Sequence, residues 1–220
     1  KKKKYIDIGI LFTKKGGPME QDEVKLYAIL NEYIKYYNKI QKKRNIKTVE
    51  YNPKSSTDLY KKGAQYLIDK NVSIIFGCWR TIDRKAIKPL VEKYNHLLCY
   101  PLQYEGNECS KNIIYFGSCP NQQIDIGIDY GIKNISKKII LIGSDYQFPR
   151  IANKIIKEYI KQNKCQLLEE IYVSLDQTDF DKITNRICKK YNSDRYLIIN
   201  TINGDGNKYF IESLYHHYQK

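Results

Sequence analysis

Short apolar runs alternate with amphipathic stretches from one end of the chain to the other. Tyr5 to Phe12 sets Ile6, Ile8, Ile10 and Phe12 on one face of an extended segment, with Gly9 and Leu11 on the other. That period of two predicts a strand. After a Gly16-Gly17-Pro18 turn, Glu20 to about Lys42 reads as a long helix whose apolar positions are Val24, Leu26, Ala28, Ile29, Ile34 and Ile40. Lys47 to Tyr51 predicts a second strand, closed by Asn52-Pro53. Ser55-Ser56-Thr57-Asp58 then predicts a helix reaching Lys70, because such side chains accept the free amides of a first turn. Val72 to Phe76, apolar except for Ser73, is a run of the kind buried on both faces of a parallel sheet.

The alternation continues with a helix from about Asp83 to Tyr94 and strands at Leu97–Tyr100 and Asn112–Phe116. Beyond them come a helix at Gln122–Lys133, a strand at Lys138–Ile142 and a helix at Pro149–Gln162. The last elements are strands at Leu167–Val173 and Arg195–Asn200, with helices at Asp179–Tyr191 and Lys208–Tyr218. Such alternation implies an α/β architecture of parallel sheets covered on both sides. The break at Tyr104 to Lys111 points to two sheets rather than one. The expected division is residues 1–117 and 118–220. Ile8, Ile10, Ile74, Ile75 and Leu98 form one core, and Ile140, Leu141, Ile198 and Ile199 the other.

Composition narrows the functional classes. With 42% apolar and 13% aromatic residues in 220, the chain can bury a core and is not a disordered segment. No apolar run reaches the length of a membrane span. Lys1 to Lys4 precede only a short strand-like run, which lacks the apolar region of a signal peptide. The net charge of +14 raises nucleic acid as a partner, but the lysines are scattered over every helix and form no dense stripe. A solvated lysine surface is the preferred reading, with no nucleic acid. None of the six cysteines forms a C-x-x-C pair, so zinc and dithiol chemistry lack support. Cys78 and Cys99 end apolar runs and are expected to be free and buried. Cys109 and Cys119 flank a strand, and spacing alone does not decide whether they pair. Asn71-Val72-Ser73 and Asn134-Ile135-Ser136 permit glycosylation.

In open α/β sheets, ligands bind beyond the carboxyl ends of the strands. The segments to weigh are therefore Thr13–Gly17, Cys78–Thr81, Tyr100–Tyr104, Ser144–Phe148 and Thr201–Asp205. They concentrate polar and aromatic residues, among them Trp79, the single tryptophan. His96 precedes a strand, and His216 and His217 lie on the last helix, so no hydrolase triad is in view. Gly204-x-Gly206 lacks the third glycine of a dinucleotide fingerprint, and Gly16-Gly17-Pro18 lacks the Lys-Ser/Thr of a phosphate loop. Asp145 and Asp205 read as turn and helix-start residues rather than a carboxylate pair. What remains suits binding without turnover.

Six fragments in order, "IGILF" with "GGPM", "FGCW…RKA…P", "LLCYPLQYEG", "CPNQQ", "GSDYQFPR…ANKII" and "NTINGDGN", run from Ile8 to about Leu214. Together they resemble the urea and short-chain-amide receptors: the urea-type solute-binding subunits of ABC transporters and the related bacterial amide sensor. The resemblance implies the type I periplasmic-binding-protein fold, two three-layer αβα lobes joined by hinge crossings with a ligand trapped between them. It implies that Trp79, Thr81 and Tyr100 line the first lobe's side of the site, and Tyr146, Phe148, Thr201 and Ile202 the second's. Arg80, Leu102 and Gln103 are secondary candidates. Family members continue past this C-terminus, so part of the fold is expected to be missing, and the Thr13–Gly17 turn is more basic than theirs. The implied function is binding of urea or a small aliphatic amide without cofactor or metal. The implied partners are an ABC permease or a signalling domain of the same chain, at the periplasmic or extracellular face. Two rivals stand beside it: an amide-hydrolysing enzyme, and a degenerate module that binds a partner protein.

Overall fold

The computed structural model describes residues 5–41 and 45–219. The basic run Lys1–Lys4, the expected helix end at Lys42 and the terminal Lys220 lie outside the described residues. Its elements in order are β1 (Tyr5–Leu11), α1 (Glu20–Ile40), β2 (Asn45–Glu50), α2 (Thr57–Asp69), β3 (Ile75–Gly77), α3 (Thr81–Lys93), β4 (Leu98–Tyr100) and β5 (Ile113–Tyr115). They continue as α4 (Pro120–Asn134), β6 (Lys138–Ser144), α5 (Gln147–Gln162), β7 (Gln166–Val173), α6 (Asp181–Lys190), β8 (Leu197–Thr201) and α7 (Gly206–Tyr218). The chain divides into two compact units, Lys1–Ser118 and Cys119–Lys220.

In the first unit the sheet runs β2-β1-β3-β4-β5, with every pairing parallel. Alternation along β1 decides which helix covers which face. Ile8, Ile10 and Phe12 pack with Ile34 of α1 and the partly buried Ile74. Leu11 points the other way, into a core with Tyr60, Ala64 and Leu67 of α2 and Ile87 and Val91 of α3. Helices on both faces make three layers.

The second unit repeats the plan with a three-stranded parallel sheet in the order β7-β6-β8. Ile139 and Leu141 of β6 face Ile128 of α4 and Ile156 and Ile160 of α5, with Ile199 packed against them. On the other face, Ile140 packs with Ile187 of α6, and Ile142 with Phe180, Ile202 and Phe210. Ile198 joins both of those clusters from its partly buried position.

Three expectations change. β3 is a three-residue strand at Ile75–Gly77, one residue beyond the apolar run that announced it. On α1, Val24, Ile29 and Ile40 are exposed, because Glu23, Tyr27, Leu30 and Ile34 occupy the face turned to the sheet. The hydroxyls before α2 do not cap it. Ser56 makes no side-chain cap bond, Ser55 Oγ accepts from the Met19 amide at 3.1 Å, and Thr57 Oγ1 donates to Asp83 at 2.8 Å. Those side chains tie neighbouring segments together instead. Cys78 and Cys99 are free and buried, and the other four thiols are free as well.

The turn after β5 depends on a glycine. A Cβ on Gly117 would stand 2.0 Å from the Leu102 carbonyl carbon and 2.1 Å from the Gln103 nitrogen, both backbone atoms. No side-chain rotation relieves that clash. Gly117→Ala is expected to cost about 2 kcal/mol or more, the upper part of the overpacking range. Thermal melting that left it within a few tenths of the native protein would contradict this packing.

Candidate functional site

Parallel pairing brings the carboxyl ends of β1, β3, β4 and β5 to one edge of the first sheet, with Leu11 beside Gly77 and Tyr100 beside Tyr115. The chain leaves β3 through Cys78, whose φ of 68° is left-handed and uncommon for a residue with a side chain. Its amide donates to Leu11 O at 3.2 Å, which fixes the turn against β1. Trp79 follows, half-buried, and its carbonyl accepts the Tyr100 hydroxyl at 2.8 Å. The tryptophan thus sits at the strand end on a turn held from both sides.

Tyr100 does not offer its ring to solvent. It is 1% exposed and lies under the Arg84 guanidinium, 4.6 Å from the ring centre. Thr81 is also buried, its hydroxyl donating to Glu105 at 3.0 Å. Arg80 is committed to structure: it pairs with the buried Asp83 at 2.8 Å and donates to Ser55 O at 2.5 Å. Leu102 packs on the core beneath α2 and α3, and Gln103 is exposed.

Beneath this edge lie charged groups that the sequence reading did not single out. Arg84 is fully buried, bonded to Glu108 at 3.0 Å and 3.5 Å from Glu105. Burial alone would push the Glu108 carboxyl up, but the Tyr115 hydroxyl and Arg84 carry it below its ordinary value. Glu23, in the first turn of α1, is fully buried and accepts from the Thr13 amide at 2.7 Å and the Tyr60 hydroxyl at 2.5 Å. Its burial outweighs those bonds and raises its pKa. Burial, then the charges of Asp83 and Glu23, also push the Cys78 thiol well up, so it is no nucleophile. Both buried charges carried a signal. Glu23 falls on the same helical stripe as Tyr27, Leu30 and Ile34, and Arg84 on that of Ile87 and Val91.

In the second unit the carboxyl ends of β6 and β8 are joined by hydrogen bonds. The Asn203 amide donates to Ser144 Oγ at 3.0 Å, and Asn203 Nδ2 donates to the Tyr146 hydroxyl. Tyr146 is the N-cap residue of α5, and Phe148 lies half-buried in its first turn. Thr201 donates to Asn153 Oδ1 at 2.8 Å. Ile202 turns inward, 6% exposed, among Ile142, Phe180 and Phe210. Asp145 pairs with Arg150 at 2.6 Å, and Asp205 precedes α7 without a side-chain cap bond, so the two aspartates form no working pair.

The histidines stand apart from these edges in role. His96 Nε2 lies 2.7 Å from Val72 O, and His217 pairs with Asp181 on α6. Among the described residues no group of three or more His, Cys, Asp or Glu could hold a metal ion. No described helix is long and apolar enough to cross a membrane.

A family profile described as the periplasmic binding protein domain matches residues 6–219. Among solved structures, a solute binding protein of an ABC transporter from Rhodopseudomonas palustris BisB5, in complex with 3,4-dihydroxy benzoic acid, superposes with a TM-score of 0.77 at 21% identity. The match covers 97% of this chain and 59% of that one. An ABC transporter substrate-binding protein from Sphaerobacter thermophilus gives 0.79 at 14% identity, over 97% and 59%. The branched-chain amino acid transporter substrate binding protein LivJ from Streptococcus pneumoniae, in complex with isoleucine, gives 0.71 at 16% identity, over 96% and 68%. At these identities the likeness is one of fold, and the chain spans 59% of the length of the first two structures.

The raised pKa of Glu23 has a definite sign. A carboxyl that holds its proton more tightly when folded contributes stability below its unfolded value and loses that contribution as pH rises through its folded value. The window therefore opens above the ordinary 4.5. Glu23→Gln, which cannot ionise, is expected to gain on the native protein in melting temperature as pH rises from about 4 to about 8. A difference that stays constant, or moves the other way, would show that Glu23 is not held against its charge.

Proposed function

The chain belongs to the periplasmic binding protein domain family, and from that premise we propose that it binds urea or a short-chain aliphatic amide without chemical turnover. The observation that carries the reading is the single tryptophan, set half-buried at the end of β3 on a left-handed Cys78 and held there by the Tyr100 hydroxyl. Urea and acetamide are flat and uncharged. An aromatic face can cover such a plane while hydroxyls and backbone groups satisfy its N–H and C=O edge. Trp79 supplies the face in the first unit, and Tyr146 and Phe148 supply aromatic surface at the carboxyl edge of the second. Thr81, Tyr100 and Thr201 hold these edges in shape through their hydrogen bonds to Glu105, Trp79 and Asn153. Ile202, Arg80 and Leu102 support from the protein side.

Binding without turnover fits what these edges carry: a buried, strongly raised thiol, committed arginines, and carboxylates engaged by ion pairs or, at Glu23, by the Thr13 amide and the Tyr60 hydroxyl. The output would be delivery to an ABC permease or a signal passed to an attached domain, outside the cytoplasm.

Trp79 gives a clean optical test, being the one tryptophan. Urea or acetamide at low concentration is expected to shift its emission saturably, whereas benzoate and isoleucine are not. Trp79→Ala should weaken binding by about ten- to a hundredfold, from roughly 1.5–3 kcal/mol of aromatic burial. Tyr146→Phe should cost about 0.5–1.5 kcal/mol, one hydrogen bond. Saturation by benzoate or isoleucine alone would replace the amide with a different ligand. Unchanged affinity in Trp79→Ala would remove Trp79 from the site.

A further inference from the structure

Helix α1 carries two apolar stripes, and only one faces the sheet. The second consists of Ile29, Tyr33, Tyr36 and Ile40, which are 67%, 63%, 60% and 56% exposed. Spacings of four, three and four residues keep all four on one side of the helix over about 16 Å. Together they leave roughly 500 Å² of large side chains in water, at the upper end of what monomers expose in one patch.

The stripe is a palindrome. Read from either end it runs Ile, Tyr, Tyr, Ile with the same spacings, so an antiparallel two-fold pairing sets Ile29 against Ile40 of the second copy and Tyr33 against Tyr36. An isologous interface requires this kind of self-complementarity. At 100° per residue, Glu32 and Lys39 fall on one flank of the stripe, and both are exposed. The two-fold brings Glu32 of each copy beside Lys39 of the other. Among the described residues Glu32 holds an exposed contact to Lys35 at 2.6 Å, which it can exchange without loss of buried structure. Antiparallel helices also set the acidic first turn of each, with Glu20 and Asp22, toward the opposite end from its mate's. We propose that α1 is the contact surface of a homodimer, formed by antiparallel pairing of the Ile29-Tyr33-Tyr36-Ile40 stripe about a two-fold axis. The stripe is smaller than the roughly 800 Å² per partner of a standard stable interface. The dimer is therefore weak and concentration-dependent.

Sedimentation velocity on the intact protein that carries this chain, across a concentration series, tests the pairing. The native protein is expected to pass from monomer to dimer below about 1 mM. Tyr33→Glu combined with Tyr36→Glu sets like charges against each other across the axis and should weaken the dimer at least tenfold. Tyr33→Lys combined with Tyr36→Glu sets opposite charges together and should retain a dimer within a few-fold of the native one. All four positions are exposed, so the variants should melt like the native protein. Three results would overturn the proposal. They are a native protein monomeric throughout, whether or not the stripe then binds vesicles or another protein, a Glu/Glu variant that dimerises as tightly as the native chain, or a Lys/Glu variant as weak as Glu/Glu.

Discussion

A buried guanidinium organises the carboxyl edge of the first sheet. Arg84 is among the largest fully buried side chains of the described residues, and stripping water from a buried charge costs several kcal/mol. Glu105 and Glu108 offset that cost, and the rings of Tyr100, Tyr104 and Tyr115 surround the planar group. Because both carboxylates lie in the segment between β4 and β5, the ion cluster pins that segment to α3. The consequences reach the tryptophan. Tyr100, fixed under Arg84, holds the Trp79 carbonyl, and Glu105 holds the Thr81 hydroxyl at the start of α3. Removing one member of such a buried cluster leaves its partners uncompensated, at a cost of about 3–5 kcal/mol.

The second unit reaches the same end with neutral groups. Thr201, Asn153 and Ser144 link β8, α5 and β6 through hydrogen bonds, and Gly143 makes room for them, since a Cβ there would lie 2.3 Å from Thr201 Oγ1. Tyr146 is placed by the same network through Asn203. Each edge sets aromatic side chains on a base of ion-paired and hydrogen-bonded groups, in which Arg84 Nη1, Glu105 Oε1 and Asn153 Nδ2 are buried without a hydrogen-bond partner.

The architecture was legible because strands and helices differ in period. The alternation of Ile6, Ile8, Ile10 and Phe12 against Leu11 marked both faces of β1, and the Val72–Phe76 run marked the strand that lies between β1 and β4 in the sheet. Within each unit, parallel pairing gathers the segments that follow the strands at the carboxyl edge of that unit's sheet. What sequence could not separate was a buried ring from a half-exposed one. Trp79 and Tyr100 look alike as aromatics at strand ends, yet the guanidinium of Arg84 claims the Tyr100 ring and leaves Trp79 half-buried. Similarly, Ile29 and Ile40 read as part of one apolar face of α1 together with Ile34, but α1 has two apolar stripes, and only packing shows which meets the sheet. Glu23 and Arg84 were overlooked because charge was read as exposure, although each interrupts an otherwise apolar stripe.

The most direct measurement is amide hydrogen exchange on the native protein and on Arg84→Met. If the buried guanidinium holds this edge, the amides of Cys78, Tyr104 and Phe116, which donate to Leu11, Ser118 and Tyr100, should be protected together in the native protein. In the variant they should lose at least tenfold in protection, while the β6 amides of the second unit keep theirs. Equal protection of the three amides in both proteins would contradict the account, because the edge would then hold its shape without Arg84.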